Sequence, residues 1–133
     1  MIKLVNRRQL QALVHALVGW MLCGSLIGIG RIVTSMENTL ILHAAGVPVA
    51  IALIAWHYFR RFPDASVPVT ATLFTGLPIA LDLLLVAPLV EGNFEMFASA
   101  LGTWIPLASI FVTTCVVGLL LRRRSHERYP AEA

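Results

Sequence analysis

The sequence predicts an all-α integral membrane protein, an antiparallel four-helix bundle with both termini in the cytoplasm. Three observations lead there. Apolar residues make up 58% of the chain and charged residues 13%, with a mean hydropathy of +0.81; a soluble domain could not cover that much apolar surface. The apolar residues fall into four long runs, each reaching the roughly 20 residues that cross about 30 Å of hydrocarbon as a helix. The basic residues gather at alternate ends of those runs. The chain of 133 residues is expected to form one domain, residues 1–133, with room for little besides the spans.

The runs occupy residues 10–30, 39–59, 67–90 and 97–121. Lipid cannot satisfy exposed backbone groups, so each must be a helix or a strand of a closed barrel. Runs this long, without period-2 alternation, exclude the barrel. The breaks at 31–38, 60–66 and 91–96 are short enough that consecutive helices are expected to lie antiparallel as neighbours. No internal repeat or low-complexity segment interrupts the pattern.

The first run begins with Lys3, Arg7 and Arg8, as a secretory signal would. Its apolar stretch is longer than the usual core of about 7–15 residues, and no small-x-small cleavage site follows it. A lipoprotein site at Cys23 would want a small residue before the cysteine, and Leu22 stands there. The segment is therefore expected to be a retained helix.

Orientation follows from Lys and Arg, which accumulate on cytoplasmic segments near span ends. Lys3, Arg7 and Arg8 precede the first span, Arg60 and Arg61 follow the second, and Arg122, Arg123, Arg124 and Arg128 follow the fourth. The opposite side holds Arg31 with Glu37, Glu91 and Glu95. Both termini and the middle loop are thus expected in the cytoplasm, and a bacterial inner (plasma) membrane is the expected location. The net charge of +3 requires no nucleic acid, because the cationic clusters sit where anionic headgroups of the lipid bilayer attract them. Trp56, Tyr58, Phe59 and Phe62 near the inner boundary, and Phe94 and Phe97 near the outer one, follow the interfacial preference of aromatic residues. Trp20 falls in mid-span and reads as a packing residue.

Small residues recur at helical spacing, which lets backbones approach in lipid. Gly24 and Gly28 form a GxxxG in the first span, Gly46 and Ala50 share that spacing in the second, and Ser99, Gly102, Pro106, Ser109 and Thr113 form a stripe on the fourth. The reading is packing within the bundle, with a homo-oligomer through Gly24 and Gly28 as the sharper alternative. Pro48, Pro78 and Pro106 each free a carbonyl inside a span. Thr75, Thr103 and Ser109 are expected to answer such groups.

Cys23 and Cys115 differ in depth by roughly 10 Å at about 1.5 Å per residue, too far for a disulfide. His43 and His57 are about 21 Å apart along one helix and cannot share an ion. His15 and His57 both lie near the inner boundary and make bis-histidine haem ligation a remote alternative. No cofactor and no metal are expected.

Asp82 stands out. It is the one acidic residue inside a span, about 12 Å below the outer boundary, where a carboxylate must face other helices, be protonated or be paired. His43, roughly 6 Å deep, and Arg31, at the outer edge, are the expected partners. Asp82, His43 and Arg31 form the candidate binding cluster. Without extramembrane domains or a catalytic constellation the chain does not read as an enzyme. A non-enzymatic subunit with a membrane-protein partner is the first expectation, and a small transporter or proton-linked channel using Asp82 with His43 the second.

In size and helix number the chain resembles the small multidrug resistance transporters, whose first helix carries an essential glutamate and whose charge bias is often weak. This first span has no acidic residue, and the bias here is strong. Membership of that family does not follow.

Overall fold

The computed structural model describes residues 6–128. Within them, α1 spans Arg7–Val33, α2 Met36–Arg61, α3 Val67–Leu81 and α4 Ile105–Arg128. A π-helical stretch, Asp82–Glu91, continues α3; a 3₁₀ turn, Glu95–Ala98, and a short π turn, Ala100–Trp104, lead into α4. No strand occurs among the described residues. Four helical segments, of 27, 26, 25 and 29 residues, are long and apolar enough to cross a membrane. Lys3 lies outside the described residues.

Local chemistry sets the helix starts. Asn6 opens α1 with a capping box: its side chain accepts from the Gln9 backbone N–H, and the Gln9 side chain accepts from the Asn6 N–H. Ser35 caps α2 by accepting from the Asn38 N–H. Pro68 sits in the first turn of α3, where its missing donor has no intrahelical partner to lose. Gly92, at φ +70°, ends the third segment in the left-handed region open to glycine.

The third span, expected to be one regular helix, changes winding at Asp82. Both π stretches lie at prolines, Pro88 within the first and Pro106 just after the second. The wider π turn moves the carbonyl of the preceding turn away from the proline ring, with which it would clash in an α-helix. Thr103 donates instead to the Met96 carbonyl at 2.6 Å, and Trp104 Nε1 to the Phe97 carbonyl at 2.6 Å, tying the 3₁₀ turn to the start of α4. Thr75 Oγ1 is buried with no partner among the described residues, so the expectation that it answers a freed carbonyl is corrected.

The helix order also differs from the expectation. α1 packs against α2 and α3, and α4 packs against the same two. Consecutive α2 and α3 therefore lie across a diagonal, despite the short connection between them. The arrangement requires a small residue at Gly118 on α4: a Cβ there would meet Val67 Cγ2 at 2.8 Å and Phe59 Cζ at 2.9 Å. The bare backbone slots between the end of α2 and the start of α3, and Arg122 fastens it by donating to the Ala65 carbonyl at 2.8 Å. Arg8, near the start of α1, reaches Asp64 of the α2–α3 connection at 3.9 Å. The basic ends of the helices thus share one end of the molecule.

The core is built from Ala12 and Ala16 of α1, Val47, Ile51, Ala55 and Tyr58 of α2, Phe74 of α3, and Leu107 and Ile110 of α4. Tyr58 and Phe74 meet edge to face at 5.7 Å across the diagonal, and the Tyr58 hydroxyl donates to the Arg8 carbonyl at 3.1 Å. Large apolar side chains cover the outside; Ile32, Val33 and Leu89 are among the most exposed, as suits helices apolar all round. Close helix approaches fall at Gly19, facing Ile51 and Ile54, at Gly30, facing Thr39, and at Gly46, facing Leu26. Gly24 and Gly28 make none: a Cβ on either meets nothing within 4 Å. Ala50 is half-buried.

Candidate functional site in the helix interior

A carboxylate and an indole in mid-span each need a polar partner, and they find one another. α1 presents Trp20 toward the junction of α3 and its π-helical continuation, and Trp20 Nε1 donates to Asp82 Oδ1 at 2.9 Å. The expected partners, His43 and Arg31, do not bond Asp82. Arg31, in the last turn of α1, forms an ion pair with Glu91 at 2.7 Å, at the end of the π-helical stretch. The guanidinium reaches the nearer carboxylate at the rim instead of turning inward, which avoids desolvating it.

His43 is 6% exposed, and its Nδ1 has no hydrogen-bond partner among the described residues. A buried polar atom of this kind costs about 1–3 kcal/mol in a protein interior unless something answers it.

These groups border one cavity. Asp82, His43, Arg31, Trp20, Cys23 and Glu91 all line a space of about 290 Å³ between the helices. The remainder of its wall is largely apolar, including Val47, Ile51, Phe74 and Leu107. Gly24 and Gly28, expected in helix packing, also line it. The size lies near the lower end of small-ligand pockets, about 300–1,000 Å³, and the wall has their character, apolar with a few convergent polar groups. From the sequence Trp20 reads as a packing residue and Glu91 only as an outer-side charge; neither is expected in the cluster. The available signal was the pairing rule: a mid-span indole N–H and a mid-span carboxylate each require an answer.

At the basic end lies a larger, open recess of about 770 Å³, bordered by Trp56, Arg60, Asp64, Arg122, Arg124 and Arg128. Arg60 lies over the Trp56 ring at 4.8 Å. Nearby, His15 Nε2 and His57 Nδ1 are 3.0 Å apart with stacked rings, and His15 Nδ1 lies 2.7 Å from the Gln11 carbonyl. Two imidazoles bonded to each other leave no space for a metal between those nitrogens, since each metal–nitrogen bond spans about 2 Å. The arrangement does not fit bis-histidine haem. No group of three or more His, Cys, Asp or Glu that could hold a metal occurs among the described residues. Cys23 and Cys115 are free thiols.

No protein-family model, no curated protein and no solved structure matches the chain.

Proposed function

We propose that this chain is a small, non-enzymatic membrane carrier that holds a ligand at the centre of an antiparallel four-helix bundle. One observation carries the reading. Three polar residues singled out from the sequence, Asp82 and His43 inside spans and Arg31 at the outer edge, come from three different segments and line one largely apolar cavity. Polar groups at membrane depth are costly, and they mark substrate pathways more often than plain structure. The change of winding at Asp82 supports the same site, because π-helical turns concentrate at functional positions.

The test is a thermal-unfolding screen of the full chain in mild, uncharged detergent against small cations, anions and neutral molecules with apolar bodies. At least one class should raise the unfolding temperature, and Gly24→Leu should abolish the effect. A Cβ at Gly24 meets no atom within 4 Å, so a leucine can enter the cavity mouth from there without a backbone clash. No stabilisation by any class, or stabilisation that survives the plug, overturns the reading.

The topology proposed with it places both termini in the cytoplasm of a bacterial inner membrane. It rests on Arg7, Arg8, Arg60, Arg61 and the arginines after the fourth span, which share one end of the molecule. Reporter fusions after Arg61 and after Arg124 should report cytoplasm, and a fusion near Asn93 the outer side. An outward C-terminus would refute it.

A second reading is a membrane subunit or interaction protein. The open faces of Gly24 and Gly28 favour it, since a neighbouring helix could approach closely there. In that case Gly24→Leu would break a stoichiometric complex or homo-oligomer in mild detergent, which light scattering on the purified sample would record.

A further inference from the structure

Above Asp82, α1 and the third segment part company. α1 packs closely along α3 and much less closely along the π-helical stretch that continues it. Two polar links frame the gap, Trp20–Asp82 at 2.9 Å and Arg31–Glu91 at 2.7 Å. Trp20 and Arg31 stand roughly 16 Å apart along α1, at about 1.5 Å per residue. Between the links, Gly24 and Gly28 form one edge and Val86 and Val90 the other. Gly24, Gly28 and Val90 are exposed, so the gap is a window in the side of the molecule, on the face that lipid would cover.

We propose that the occupant of this cavity is an organic monocation with an apolar body, which enters from the lipid through the window and sets its charge beside Asp82. The inference rests on the ligand-binding reading above and names the ligand's class.

Charge balance is the first argument. Of the charged groups lining the cavity, Arg31 and Glu91 neutralise each other. Asp82 remains: Oδ1 accepts from an uncharged indole, and no basic group lies within ion-pair distance among the described residues. An ionised carboxylate in an apolar setting calls for a countercharge. An ammonium group supplies it, an anion opposes it, and a neutral molecule leaves it unmet.

The wall gives the second argument. His43, more than nine-tenths buried with Nδ1 unanswered, borders the same space and offers a nitrogen to a polar group of the ligand. The aromatic rings of Trp20 and Phe74 also line it, and aromatic faces attract cations. Access is the third argument, because a window edged by glycine and valine admits what already dissolves in hydrocarbon.

Isothermal titration calorimetry of the full chain in uncharged detergent, with micelles alone as reference, tests this with three probes of one shape. They are benzyltrimethylammonium, its uncharged carbon isostere neopentylbenzene, and the anion phenylmethanesulfonate. The cation should bind, and the other two should bind at least tenfold more weakly. Asp82→Asn, which keeps an oxygen for the Trp20 N–H, should weaken the cation at least tenfold, and Gly24→Leu should remove its binding. Equal binding of cation and neutral isostere, or cation binding indifferent to Asp82→Asn, overturns the cation assignment while leaving a ligand cavity in place, provided Gly24→Leu still blocks it. Absence of binding by all three probes overturns both.

Discussion

Phe74→Ala is expected to lower the stability of the folded chain in detergent by about 2 kcal/mol, the largest loss of any single truncation in the core. The figure comes from subtraction. Phe→Ala in a water-soluble core costs about 3–5 kcal/mol, and about 1.5–3 of that is transfer from water. In a micelle the unfolded span remains in apolar surroundings, so the transfer part largely disappears and the packing part stays. Phe74 is fully buried, meets Tyr58 edge to face at 5.7 Å and joins residues from all four helices. Its loss therefore removes contacts on every side. Reversible unfolding in mixed micelles with rising SDS measures the change, and Phe74→Leu should fall between the alanine variant and wild type. A loss under about 0.5 kcal/mol, the size of an ordinary surface substitution, would mean that the helices do not close around this ring.

Asp82→Leu and Trp20→Phe should each cost about 1 kcal/mol, and the double variant little more than either alone. Interhelical hydrogen bonds in membrane proteins are worth about 0.6 kcal/mol on average and about 1–2 in model peptides. Packing at Phe74 thus outweighs the polar link. Each single variant strands one partner of the 2.9 Å bond, so the second substitution has little left to break, and the cycle reads the coupling directly. Asp82→Asn should stay near wild type, because an amide oxygen still accepts from the indole. His43→Leu should not destabilise, since Nδ1 gives up no bond. Strict additivity of Trp20→Phe and Asp82→Leu would show that the two side chains do not bond; a large loss in His43→Leu would reveal a partner for the imidazole.

The link between Asp82 and Trp20 illustrates how far residues can be read without a fold. Asp82 and His43 were legible because polar side chains are rare inside spans, and Arg31 because it is the basic residue at the outer edge; neither signal needs more than the sequence. Which of them meet was not legible. Arg31 had Asp82 and the acidic residues of its own side to choose from and took Glu91 at the rim, where less desolvation is required. Trp20 was read as packing because its ring is large and apolar, although its single N–H decided its role.

By itself the sequence determined that four segments are long and apolar enough to span a membrane, and where each approximately begins and ends. These properties depend on hydrophobicity summed over some 20 residues, and on the rule that a backbone in lipid must bond to itself. Only the tertiary structure decided how the helices are rotated and ordered. A helix apolar on every face carries no stripe to say which side turns inward, and shape then chooses. Gly118 admits Phe59 and Val67 where α4 packs against α2 and α3, which lie at opposite corners. Gly30 accepts Thr39, while Gly24 and Gly28, of the same residue type on the same helix, are left facing the cavity.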